Sequence, residues 1–494
     1  MKVELAEHFD ACDDRSRDAL FAIPARLHTL ARRFPAVSHG LLSLTDQAIV
    51  SATSFATMVI IGRATSPDQL GLYYLVMSIV FITVGVQEQI VATPYTVYSK
   101  RYQGSELASY AGSVWFHHFA VTALGIVMLL AAIAGLSLAG AVRMAPGLWA
   151  LLAAGPFILL REWIRRFAYA NLQIVPAVML DAVVAVVQLG GLLLLWRLKL
   201  LSIFSIFAVM GAACAIACVG WFVLDRPAAR FDPSRYRPDW TKNWSFGRWA
   251  LRSYVVGSTI PFVMPWILGL TVGMAAAGVL AACNTLINIS NLFLVSMDRV
   301  LIPRAAQAFA RGHAGDLRRV LTWAALVILP ALGAFCLVVF LFGSRLAVFV
   351  FGDQYRGHGD ILTALALVMF ANGVGTIAGT GLWAIDKPRI NFTADVVTLL
   401  VTIAAGFALV VPLGAFGAAL AILAGTSTGC VVRTLRLQRA LALCEVPTEV
   451  NDQQPLDHDK LIERSDDCVS SEAGDWLAAQ RESGCEIPNH GRCV

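Results

Sequence analysis

The stretch Val320–Phe342, VLTWAALVILPALGAFCLVVFLF, contains no charged residue. As a helix rising ~1.5 Å per residue it is about 34 Å long, enough to cross a hydrocarbon layer of ~30 Å. A transmembrane barrel strand would alternate apolar and polar residues, and this run does not. Working outward, comparable runs recur along the whole chain. Spans are expected at 41–62, 72–94, 112–137, 147–161, 174–196, 201–224, 249–271, 277–298, 320–342, 361–384, 390–411 and 414–433. The fourth is short and interrupted by Pro156.

Composition agrees. Of 494 residues, 57% are hydrophobic and 14% charged, and mean hydropathy is +0.68. Soluble domains carry about 45–50% apolar and about 25% charged residues. The expected class is therefore an all-α polytopic membrane protein of about twelve transmembrane helices in two six-helix bundles. Residues 1–40 form an N-terminal segment without the clean apolar core of a signal peptide. The bundles cover 41–224 and 249–440, a basic linker covers 225–248, and an acidic tail covers 441–494. The tail lacks apolar periodicity and reads as disordered. Residues 19–34 could form an interfacial helix.

Orientation follows from lysine and arginine in the connections. One parity holds Arg26, Arg32 and Arg33, then Lys100 and Arg101, then Arg161, Arg165 and Arg166. It continues through Arg226–Arg248, Arg299–Arg319, Lys387 with Arg389, and Arg433–Arg439. The other parity holds only Arg63, Arg143, Arg197, Lys199, Arg345 and Arg356. Both termini are therefore expected in the cytoplasm, with the protein in the inner membrane. The basic excess is an orientation signal, not a nucleic-acid footprint.

Polar groups inside spans are costly, which makes them functional candidates. Candidate ion-coupling residues are Asp46, Glu88, Asn391 and Asp395. Candidate substrate contacts are Gln47, Arg248, Arg252 and the stripe Asn284, Asn288 and Asn291. The fifth span also holds Asp181 and Gln188. Each has a plainer alternative, either snorkelling at the interface or bonding between helices. No catalytic or metal site is expected. The chain has no P-loop, no H-E-x-x-H and no G-x-S-x-G, and Cys485, His490 and Cys493 do not match a zinc spacing. No cofactor is implied beyond a possible coupling Na+ or H+.

Several motifs resemble the multidrug/oligosaccharidyl-lipid/polysaccharide (MOP) exporter superfamily, above all its Wzx-type polysaccharide flippases. They are Gly62-Arg63-Ala64 with Pro67, Leu70-Gly71 and Tyr73; Leu44-Thr45-Asp46-Gln47-Ala48 with Ser51 and Phe55; Phe351-Gly352-Asp353-Gln354-Tyr355; and Pro412-Leu413-Gly414 with Gly417-Ala418-Ala419. The resemblance covers about residues 40–440. It implies alternating access by two bundles that flip an undecaprenyl-pyrophosphate oligosaccharide, with other polysaccharide assembly proteins as possible partners. It also implies cavity arginines for the pyrophosphate. An Asn and Asp one turn apart form a sodium site in some relatives, and Asn391 and Asp395 match that pair. The acidic partner expected in the seventh span is missing, since Arg252 stands there instead. A drug/cation antiporter of the same superfamily is the alternative reading. A membrane glycan polymerase or ligase would need a large external loop that is absent.

Overall fold

The computed structural model describes residues 35–138, 145–224, 229–311 and 314–445. The expected interfacial helix at 19–34 and the tail beyond 445 lie outside the described residues. The elements are α1 (Pro35–Ala64), α2 (Pro67–Gln87), a π-helical turn (Glu88–Ala92), α3 (Thr93–Tyr98), α4 (Gly104–Leu138), α5 (Ala145–Ala170) and α6 (Ile174–Arg197). They continue with α7 (Ile203–Leu224), α8 (Pro233–Thr271), α9 (Met274–Ile287), α10 (Ile289–Ala310), α11 (Ala314–Phe351), α12 (Gly359–Ala384) and α13 (Pro388–Glu445). Among the described residues there is no strand.

Among the described residues ten helices are long and apolar enough to cross a membrane, and α9 with α10, bent by 46° at the break between them, make up an eleventh candidate span. The twelfth is hidden in α13. Its 58 residues would extend about 87 Å as one rod. The helix breaks at Gly414, whose φ of 57° and ψ of −134° are not helical; only glycine takes such a backbone without strain. The two arms then pack side by side. A Cβ on Gly425 would lie 2.7 Å from the Thr398 carbonyl, one on Gly429 would lie 3.3 Å from that of Ala394, and Arg433 reaches Asp395. Rising numbers on one arm meet falling numbers on the other, so the arms are antiparallel and α13 crosses twice.

Two sequence expectations need correction. The fourth span does not stop at 161; α5 runs on to Ala170 despite Pro156. Arg161, Arg165 and Arg166 therefore sit within a helix and not in a loop. The segment 225–248 is not simply a linker either. From Pro233 it is the first part of the 39-residue α8, started by Asp232, whose carboxylate accepts the Ser234 amide at 3.0 Å. An acidic N-cap followed by proline at the first position is a strong helix start.

This early part of α8 packs on α4. Phe116 stacks on Tyr236 at 4.1 Å, His117 Nε2 donates to the Tyr236 carbonyl at 2.8 Å, and Tyr110 donates to Asn243 Oδ1 at 2.9 Å. Further along, Tyr254 donates to the Phe81 carbonyl at 3.0 Å and Trp266 Nε1 to Ser78 Oγ at 2.8 Å. Thus α8 lies along α2 and α4 for most of its length.

For orientation we call the end with the 64–67, 271–274 and 352–358 connections distal. The end with the 99–104, 171–173 and 385–388 connections is proximal.

Candidate functional site: a buried charge cluster and an arginine-lined proximal region

Three helices of the first half bring charges together near the proximal end. Asp46 on α1 and Asp181 on α6 are both fully buried at the side chain. Between them α5 presents Arg161, Arg165 and Tyr169, spaced four residues apart and so on one helical face. Arg165 donates to Asp46 Oδ2 at 2.8 Å, and Tyr169 donates to the same oxygen at 2.6 Å. Arg165 Nε lies 2.8 Å from Asp181 Oδ2. Arg161 binds Asp181 and its neighbour Glu162.

The cluster holds three carboxyl groups and two guanidinium groups. Isolated charge is very costly in such a setting, so pairing makes the cluster tolerable. One carboxylate remains in excess, and a single added proton would balance it. Asp46 Oδ1 has no hydrogen-bond partner, which leaves a site for that proton. Close by, Gln188 donates to Thr57 Oγ1 at 2.8 Å.

Glu88 is separate from this cluster. It opens the π-helical turn of Glu88–Ala92, a distortion that recurs at functional sites. Its carboxylate pairs with Arg166 at 2.9 Å, and both side chains keep access to solvent, at 28% and 44%. The turn also abuts α8, where a Cβ on Gly247 would lie 2.7 Å from the Gln89 carbonyl. Arg248 and Arg252 follow on α8 and are exposed. Arg248 is the next residue after that contact and Arg252 follows about one turn later, whereas other exposed proximal cations, such as Arg318, Arg319 and Arg389, stand on α11 and α13.

The second half differs. Asp395 is held by Arg433, with side-chain exposures of 35% and 17%. Asn391 Nδ2 donates to the Gly379 carbonyl at 3.0 Å. A guanidinium on Asp395 already supplies the positive charge that a sodium ion would bring. Asn391 Oδ1 is buried without a hydrogen-bond partner, so the pair keeps one free ligand atom beside a carboxylate that Arg433 occupies.

The remaining candidates scatter. Gln47 is exposed and bonds Ser51 on its own helix at 3.3 Å. Asn284 Nδ2 donates to Tyr74 at 3.3 Å, joining α9 to α2. Asn288 stands at the break between α9 and α10, its N–H bonded to the Asn284 carbonyl. Asn291 is exposed one turn later. The sequence reading missed Arg161, Arg165 and Arg433 as site residues because it counted them with the loops.

The halves also meet distally. A Cβ on Gly278 of α9 would lie 2.9 Å from the Gly71 amide nitrogen of α2. Arg63 Nε donates to the Val350 carbonyl at 2.7 Å and the same guanidinium reaches the Phe349 carbonyl. Gln354 Nε2 donates to the carbonyls of Gly62 and, at 3.2 Å, Thr65.

Comparison with known proteins places this geometry. No family model matches the sequence, and no curated protein does. Solved structures do match. An inward-facing multidrug resistance MATE family transporter of the MOP superfamily superposes with a TM-score of 0.68 at 13% identity, covering 80% of this chain and 95% of that one. The lipid II flippase MurJ, in an inward closed conformation, gives 0.65 at 13% identity, covering 82% and 89%. An outward-facing MATE family transporter gives 0.55 at 12% identity, covering 82% and 94%. The chain has the fold of the MOP superfamily transporters.

Proposed function

We propose that the protein is a proton-coupled, alternating-access flippase for a lipid-linked oligosaccharide carried on a diphosphate, acting in the cytoplasmic membrane of a bacterium. The carrying observation is a division of labour between charges. The carboxylates of Asp46 and Asp181 are buried and held by arginines, a poor surface for a cationic drug. The polar groups exposed around the π turn include Arg166, Arg248 and Arg252, and a diphosphate is suited to guanidinium donors. A lipid II flippase among the structures of like fold supports the same reading.

In this reading the proximal end faces the cytoplasm, where the headgroup enters. Arg166 exchanges Glu88 for the diphosphate, and Arg252 and Arg248 on α8 complete its surroundings. Asp46 and Asp181 take up a proton in one orientation and release it in the other. Because α8 is fastened to α2 and α4, it travels with residues 41–224 as the halves rock. That moves the working boundary from the 225–248 segment to the α8–α9 connection.

The test is export of surface glycan in a strain that depends on this gene. Arg166→Ala and Arg252→Ala should each stop export and accumulate the lipid-linked precursor, with protein levels unchanged. Export at the normal rate by both would remove the headgroup role. The drug/cation antiporter is the second reading, favoured by the high TM-score to an inward-facing MATE transporter. Drug sensitivity of a deletion strain with intact surface glycan would favour it instead.

A further inference from the structure

Two motifs that stand nearly 300 residues apart in sequence touch each other, and each caps the other's helix. Helices α1 and α11 both end at the distal side, at Ala64 and Phe351. The last carbonyls of a helix have no partner within it and carry partial negative charge. Two such ends side by side repel unless something donates to them. Arg63, in the last turn of α1, donates to the carbonyls of Phe349 and Val350 at the end of α11. In return Gln354, just past the end of α11, donates to the carbonyls of Gly62 and Thr65 at the end of α1. Gly62 leaves space for the buried ring of Phe351, since a Cβ there would lie 2.5 Å from Phe351 Cδ1.

We propose that Arg63 and Gln354 form a reciprocal capping latch that holds the distal end closed and sets the balance between the two orientations. These bonds join α1 to the end of α11 and exist only while the halves meet distally. In the opposite orientation the same carbonyls turn to water. The latch therefore contributes to one state alone, which is what shifts a two-state balance. It rests on alternating access but not on the identity of the cargo, and its test needs no substrate.

The experiment places a cysteine at Asn284, which lies behind the latch and faces Tyr74 across the halves. Labelling by a membrane-impermeant maleimide confined to the distal side then reports opening. Each latch variant is compared with and without Asn284→Cys, so that native thiols are subtracted. Arg63→Ala and Gln354→Ala should each raise the labelling rate about fivefold, the weight of one or two lost hydrogen bonds on the balance. Arg63→Lys, which keeps the charge but replaces the two-nitrogen fork with one ammonium nitrogen, should fall between. Arg356→Ala breaks only the local Asp353–Arg356 pair of the same loop and should leave the rate unchanged. Monodisperse elution of each variant establishes folding. Normal labelling rates in folded Arg63→Ala and Gln354→Ala would overturn the latch, as would an equal rise in Arg356→Ala.

Discussion

The two halves of the molecule hold their helices together by different means. In the first, α1, α5 and α6 are tied through Asp46, Arg161, Arg165 and Asp181 in a buried network. In the second, the arms of α13 close on each other at Gly425 and Gly429, where backbone meets backbone and Thr398 and Thr402 fill the flanks. Its intramembrane carboxylate Asp395 is partly exposed and already neutralised by Arg433. The lesson is that buried charge and mechanical cohesion coincide in the first half, which is where the proposed function places proton uptake. In the second, cohesion comes from small residues, and the charge pair is an accessory.

Mutations should break this contrast unequally. The largest effect falls on the network: Arg165→Ala leaves Asp46 and Asp181 buried with too little positive charge. It should cost about 3–5 kcal/mol, the usual result of removing one partner from a buried pair. Thermal unfolding in detergent measures it. Adding Asp181→Ala to that variant should restore part of the loss, because coupled sites are not additive. Next comes Gly425→Val, which forces a side chain against the Thr398 carbonyl and should cost about 1–3 kcal/mol by overpacking. Its melting point compared with that of Gly190→Val, where a Cβ meets open space, isolates the packing contribution. The smallest effect belongs to Asp395→Ala, below about 1 kcal/mol for a pair that retains solvent access. A loss as large as that of Arg165→Ala would erase the distinction between the halves.

Much of the fold was legible before the structure, for identifiable reasons. An uncharged run such as Val320–Phe342 has no other stable home than a bilayer, and the turn at Pro412-Leu413-Gly414 marks where α13 must fold back. Asp46 was legible as an intramembrane carboxylate. Its partners were not, because an arginine near a span boundary looks the same whether it snorkels to the interface or turns inward. The spacing of Arg161, Arg165 and Tyr169 was the overlooked signal, since three polar groups on one helical face ask for an acidic partner. Arg433 was hidden in the same way. The 225–248 segment misled through its prolines, yet Asp232-Pro233 is a helix start. For Asn391 and Asp395 the spacing was legible but not the partner, Arg433, which reaches the carboxylate from 38 positions away.

The central claim is that the titrating site lies in the first half, at Asp46 and Asp181. The most direct measurement is the rate at which Asn284→Cys is labelled from the distal side, followed from mildly acidic to neutral pH. Dividing by the rate of an always-exposed reference cysteine removes the thiolate's own pH dependence. The account predicts that the normalised rate titrates in the otherwise native chain and in Asp395→Asn, and becomes flat in Asp46→Asn and Asp181→Asn. A persistent titration in both first-half variants, or its loss in Asp395→Asn, would contradict it.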